Sequence, residues 1–357
     1  MGSAVYYVET NNSDSPGSIS KKLAVLIEKS DILKIIGKDG FTGVKLHFGE
    51  DGNTGHINSM WVKETVKHVR KKTRRAFLTD SNVLYKNSMR ANSVDHLNIA
   101  REHGFSIDSI GIPTLIADGI FGRNFTEIPI SKKHFKRVLI ASDIAACDSL
   151  LVLTHVTGHF LTGLGGAIKN LGMGCASRRG KYEQHAGVVP DIDNSFCVGC
   201  GLCALSCPAL CMVFENKLPR IKEEACIGCG ECAVVCKTKA IDIKWSETLA
   251  NLQEKMVEYA CGAVKAVKGK IGYINFLIKV TKDCDCLAKN AARITDDFGI
   301  LASLDPVAID KASIDFINRR DREDVLKTAN PQTDWLAQLK YAEDIGLGNM
   351  SYNLVSC

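Results

Sequence analysis

Eight cysteines fall into two copies of one pattern, Cys197-x2-Cys200-x2-Cys203-x3-Cys207-Pro208 and Cys226-x2-Cys229-x2-Cys232-x3-Cys236. A loop with a thiol at every third position can wrap three sulfurs around three corners of an iron–sulfur cubane, and the fourth corner must then be closed from elsewhere in the chain. Zinc sites that pair two C-x2-C units have no use for a third cysteine at the same step. Gly199, Gly201, Gly228 and Gly230 let the backbone turn tightly and aim amide N–H groups at sulfide. Lys237 stands where the first run has Pro208, a change that removes no ligand but puts a positive charge nearby.

In two-cluster ferredoxins the fourth cysteine of each run ligates the other cluster. The expected ligand sets are therefore Cys197, Cys200, Cys203 and Cys236 for one [4Fe–4S] cluster, and Cys226, Cys229, Cys232 and Cys207 for the second. Cys211 lies outside the pattern and reads as a buried thiol. Composition bounds this module to residues 191–245, between Gly187 to Pro190 and a helix beginning near Ser246.

Three further constellations carry polar chemistry. Lys45-Leu46-His47-Phe48-Gly49-Glu50 ends a predicted strand, and alternation along an extended chain puts Lys45 and His47 on one face. The apolar run Leu150–Leu153 leads into His155 and His159, then a glycine-rich turn with Gly165 and Gly166, then a helix bearing Lys169 and Asn170. Those glycines permit close backbone approach, and the helix N-terminus would offer N–H donors to a phosphate or carboxylate. His155 and His159 would serve as metal ligands or acid–base groups. Asp283-Cys284-Asp285-Cys286 follows another predicted strand and could bind a soft metal or form a redox pair, since a C-x-C disulfide is strained and reducible. Asp305 reads as a helix cap with Asp310 on the next turn.

The elements that must position these groups alternate. Predicted strands at Val5–Val8, Thr42–Phe48, Arg75–Leu78 and Ser149–Thr154 interleave with helices at Ser18–Leu33, Ser59–Lys72, Ser93–His103 and Leu164–Leu171. The same texture returns later, with a helix at Ser246–Val267, strands at Tyr273–Val280 and Gly299–Ser303, and a helix at Pro306–Asn318. Such alternation predicts an α/β domain with a mostly parallel or mixed sheet. The last hundred or so residues are too thin to stand alone, so residues 1–190 and 246–357 should form one discontinuous domain interrupted by an α+β, ferredoxin-like module.

The motifs at Lys45–Glu50, His155–His159, Gly165–Gly174, Asp283–Cys286 and Asp305–Asp310 together resemble the iron–sulfur-binding proteins of the domain of unknown function 362 (DUF362) family over nearly the whole chain. The resemblance implies this fold and the clusters, with no agreed reaction. The chain is also distantly similar to the N-terminal part of the lactate racemase family.

At 357 residues and 45% hydrophobic, the chain can bury a substantial core. A net charge of +5 and a basic run at residues 67–75 without interleaved aromatics argue against nucleic acid. Neither a membrane-spanning apolar run nor a signal-like N-terminus is evident, so the expectation is a cytoplasmic protein without membrane insertion. Fifteen cysteines in a chain of this kind point to metal, not to disulfides. The function expected is an iron–sulfur oxidoreductase fed by a redox partner such as a ferredoxin or reductase, acting on an anionic small molecule, with a flavin or additional metal ion as a possible second cofactor. Its rival is a non-catalytic electron carrier or metallocentre accessory protein. Lys45, His47, Glu50, His155, His159, Lys169, Cys284 and Cys286 are the candidate catalytic groups, with Gly165, Gly166 and Asn170 as cofactor contacts. No G-x-G-x-x-G fingerprint marks a nicotinamide site.

Overall fold

The computed structural model describes residues 2–84, 88–185, 189–207, 210–226, 231–242, 249–286 and 291–357. Eight strands form the main sheet: β1 (Ser3–Glu9), β2 (Thr42–Lys45), β3 (Ala76–Asp80), β4 (Thr114–Ile116), β5 (Ser149–His155), β6 (Ile271–Leu277), β7 (Gly299–Ser303) and β8 (Tyr352–Ser356). Their order across the sheet is β8-β1-β7-β6-β5-β2-β3-β4. From β6 to β4 every neighbour is parallel, whereas β7 runs antiparallel to both β6 and β1. The sheet is therefore mixed, and strands from both sides of the 191–242 segment share it. β4 and β8 carry no strong periodicity and were not anticipated; each lies at a sheet edge, where fewer faces need apolar cover.

β5 shows why the centre holds. Every residue from Ser149 to Thr154 is buried, and side-chain alternation sends Leu150 and Val152 into one core and Leu151 and Leu153 into the other. Burying each such side chain contributes about 1.5–3 kcal/mol. One face is covered by α1 (Pro16–Ser30) and α2 (Ser59–Arg70). In α1, Pro16 occupies the first turn, Ser15 accepts from Ser18 N, and Ile19, Leu23, Leu26 and Ile27 form the buried stripe. In α2, Trp61 stacks on Phe276 of β6, ring centroids 5.7 Å apart.

The opposite face is covered by α3 (Ala167–Gly172), α4 (Leu249–Ala266) and α5 (Pro306–Asp321). α5 starts at Asp305, whose carboxylate accepts from Val307 N at 2.8 Å and Ala308 N at 3.0 Å, as its position before Pro306 suggests. No helix among the described residues is long and apolar enough to cross a membrane.

Residues 191–242 pair within themselves: Asp191–Ile192 with Ile241–Asp242, and Met212–Glu215 with Leu218–Ile221. Their small core gathers Cys203, Cys207, Cys211 and Cys236 with Met212, Ala240 and Ile241.

Candidate functional site

Parallel strands deliver their carboxyl ends to one edge of the sheet, and in open α/β sheets that edge is where ligands bind. Here β2 ends on Lys45, β3 on Asp80 and β5 on His155, around a cavity of about 130 Å³. Its wall also includes His47, Arg90, His159, Gly165, Gly166, Lys169, Asn170, Lys181, Cys284, Asp285 and Cys286. Of the candidate catalytic groups and cofactor contacts chosen from sequence, Glu50 alone is absent from that wall.

Glu50 instead ties down a turn. It takes an ion pair from Arg90 at 3.2 Å, a bond from Met89 N at 3.1 Å and another from Ser88 Oγ. Arg90 in turn reaches Cys286 O at 3.5 Å. Glu50 thus acts on the cavity through Arg90, a residue that sequence reading missed for want of any local motif.

His155 is also reassigned by its partners. Nδ1 lies 2.7 Å from Asp285 Oδ2, and Nε2 lies 3.0 Å from Ile278 O and 3.2 Å from Lys279 O. All three partners are acceptors, so both nitrogens donate and the ring is an imidazolium. Burial opposes that charge, but Asp285 and the two carbonyls outweigh it and hold the ring above its ordinary range, while burial of Asp285 is outweighed by His155 and its carboxyl is held low. No lone pair remains for a metal or a substrate proton, contrary to the expected acid–base or ligand role. The pair clamps the Asp283–Cys286 segment to the end of β5.

The glycine turn is likewise self-satisfied. Asp310 accepts from Ala167 N at 2.7 Å, Ile168 N at 2.9 Å and Asn275 Nδ2 at 2.9 Å. The anion at the start of α3 is therefore the protein's own, and the expected phosphate or carboxylate cradle at that helix end is already filled. Gly166 is required because a Cβ there would meet the Asp310 carboxylate at 2.5 Å. Asn170 braces Lys45, accepting from Nζ at 2.7 Å and donating to Leu153 O at 2.9 Å.

The polar capacity that remains points inward. His47 Nδ1 accepts from Gly49 N at 2.9 Å, which places the neutral ring's proton on Nε2, a buried atom with no partner among the described residues. Burial first, then Arg90, Lys169 and Lys45, keep this ring neutral. Lys169 Nζ has one described contact, Cys284 Sγ at 3.8 Å, and burial brings its pKa down to about 8. Cys284 and Cys286 are joined as a disulfide, and a ring nitrogen of His159 lies within 4.8 Å of both sulfurs. Lys45 and Lys181 are already spent: Lys45 pairs with Asp80 at 3.0 Å, and Lys181 donates to Ser81 O, Ser81 Oγ and Asn82 O. Asp80 and Lys181 were not chosen from sequence, although Asp80, like Lys45, ends an apolar strand and the same signal could have found it.

In the 191–242 segment burial first, and then Cys200 and Cys197, push the Cys203 thiol up, and Gly199 N donates to Cys197 Sγ at 3.4 Å. Gly199 and Gly201 take left-handed backbone, which only glycine adopts freely. Cys211 touches both Cys207, 3.3 Å between sulfurs, and Cys226. Cys211 thus links the fourth cysteine of one run to the first cysteine of the other. Cys229, Gly228, Gly230 and Pro208 lie outside the described residues. Sulfurs gathered in this way, with an N–H aimed at one of them, fit an iron–sulfur group.

Residues 42–315 match the family described as "Domain of unknown function (DUF362)". No curated protein matches the chain. Among solved structures, the lactate racemase apoprotein from Thermoanaerobacterium thermosaccharolyticum aligns at 12% identity and a TM-score of 0.42, covering 77% of this chain and 51% of that one. A crystal structure of a protein from Thermotoga maritima aligns at 11% and 0.39, covering 76% and 52%. The chain spans about half the length of each, and likeness at this level carries no functional argument.

Proposed function

We propose that this chain, which belongs to the DUF362 family, is an iron–sulfur oxidoreductase acting on a small anionic substrate at the carboxyl edge of its sheet. One observation carries the reading: eight cysteines at cubane spacing share a chain with a cavity onto which Lys169, His47 and His159 turn hydrogen-bond donors.

Bound [4Fe–4S] clusters would supply single electrons at low potential, held by Cys197, Cys200, Cys203 and Cys236 and by Cys226, Cys229, Cys232 and Cys207. The rest belongs to the α/β domain. Asp80 and Asp285 are committed to Lys45 and His155, so among the described residues no free carboxylate faces the ligand. Lys169 Nζ and the Nε2–H groups of His47 and His159 remain, and a ligand that satisfies them must be acceptor-rich and negatively charged. The cavity's size restricts it to a few non-hydrogen atoms. Lys169 orients the anion and holds a transferable proton, whereas Lys45, Asn170 and Asp80 keep the floor rigid.

The test is anaerobic purification followed by iron and sulfide analysis, low-temperature electron paramagnetic resonance after dithionite, and mass spectrometry of released ligands. About eight irons and eight sulfides per chain, with two reducible cubane signals, support the reading. A preparation without stoichiometric iron would remove it, and one that holds iron yet binds no anion would reduce the chain to an electron carrier.

A further inference from the structure

The cysteines at 284 and 286 admit two chemistries, a soft-metal site completed by His159 or a dithiol–disulfide couple. We infer that they form the couple, and that its disulfide is where electrons arrive in the α/β domain. The inference rests on the electron-transfer reading above.

The position of the pair comes from Asp285. Its carboxylate is held by His155, and the two flanking sulfurs line the cavity. Cys284 is buried and Cys286 half-buried.

His159 then separates the two chemistries. Its Nδ1 accepts from the backbone N–H groups of Leu161 and Thr162, both at 3.1 Å. A backbone N–H is always a donor, so Nδ1 carries no proton and the neutral ring bears its proton on Nε2. A metal-bound histidine has the reverse arrangement: one nitrogen gives its lone pair to the ion and the other donates a proton to an acceptor. His159 has spent its lone pair on the backbone and has only an N–H left to offer. Such a ring can donate to a sulfur, but it could bind a metal only as an imidazolate.

Charge separates them as well. Lys169 Nζ stands 3.8 Å from Cys284 Sγ, and Lys45, Arg90 and Lys181 also line the wall. A divalent cation would enter against these charges, whereas a thiolate would be stabilised by them.

The S–S bond takes up two electrons, delivered singly by a low-potential iron–sulfur donor, and breaks to two sulfurs. One proton comes from the Lys169 ammonium and one from water, giving two thiols. Returning both electrons and both protons to an oxidised substrate in the cavity re-forms the disulfide, and Lys169 recovers its proton from water to close the cycle.

Anaerobically purified protein should be alkylated with iodoacetamide before and after dithionite, with the peptide containing residues 284 and 286 weighed and metals counted in the same samples. The couple requires no label on these cysteines before reduction and two labels after it, with iron unchanged. The Lys169→Met variant should fold, retain its iron and, once reduced, alkylate about tenfold more slowly at neutral pH, because each unit of thiol pKa is tenfold in thiolate. One equivalent of zinc, nickel or copper that Cys284→Ser loses would overturn the couple, as would cysteines that dithionite leaves unchanged while iron is present. Absence of iron would instead sink the electron-transfer reading, and the disulfide could then still be titrated with a phosphine.

Discussion

Cysteines gather in two places in this protein, and they are gathered by different means. In residues 191–242 a three-residue step brings sulfurs together along the chain, helped by left-handed glycines and a small private core. At the sheet edge, Cys284 and Cys286 acquire their character from groups far away in sequence: His159, Lys169, and His155, which clamps the intervening Asp285. Local spacing suffices for a group the chain must wrap. A reactive couple also needs a set charge and proton supply, which only distant elements provide. The two regions should therefore fail independently.

The largest break is Cys203→Ala. It should cost one cubane, with about half the iron lost and turnover abolished, while the melting transition of the α/β domain stays in place. Iron analysis and calorimetry on one preparation check both halves.

Next, Lys169→Met should leave iron content intact and reduce turnover about 100-fold, the usual scale for loss of a positioned proton donor. Steady-state kinetics beside an iron assay would show it, and iron loss in this variant would mean the regions are coupled.

His155→Ala sharpens the comparison through stability, since it leaves Asp285 buried without its partner at a cost of about 3–5 kcal/mol. The pH dependence has a definite sign. The folded value of His155 is raised, so its contribution is full below the ordinary 6.5 and is lost as pH rises through the folded value. The folded value of Asp285 is lowered, so its contribution is full above the ordinary 3.8 and is lost as pH falls through the folded value. The wild type should accordingly show a steeper alkaline decline in melting temperature than the variant.

Asp310→Asn puts an amide against the N–H groups of Ala167 and Ile168, and a cost of about 1–3 kcal/mol in denaturant titration is expected. The smallest effect, about 1 kcal/mol in the same titration, belongs to Asp305→Ala through loss of the α5 cap.

Periodicity alone located β1, β2, β3, β5, β6 and β7 and the main helices to within a few residues, because one-sided or two-sided burial is written directly into apolar spacing. It also marked Lys45, His47, His159, Lys169 and the Cys284–Cys286 pair, since polar groups that end apolar strands must lie at a sheet edge. It could not tell which of them were already spoken for. Asp310 approaches α3 from more than a hundred residues away, His155 is neutralised as a ligand by Asp285 and two carbonyls, and Glu50 turns toward Arg90. Hydrogen-bond partnership is a property of folded space: the sequence by itself determined which residues could do chemistry, and the tertiary structure decided which of them had donors, lone pairs or charges left to do it with.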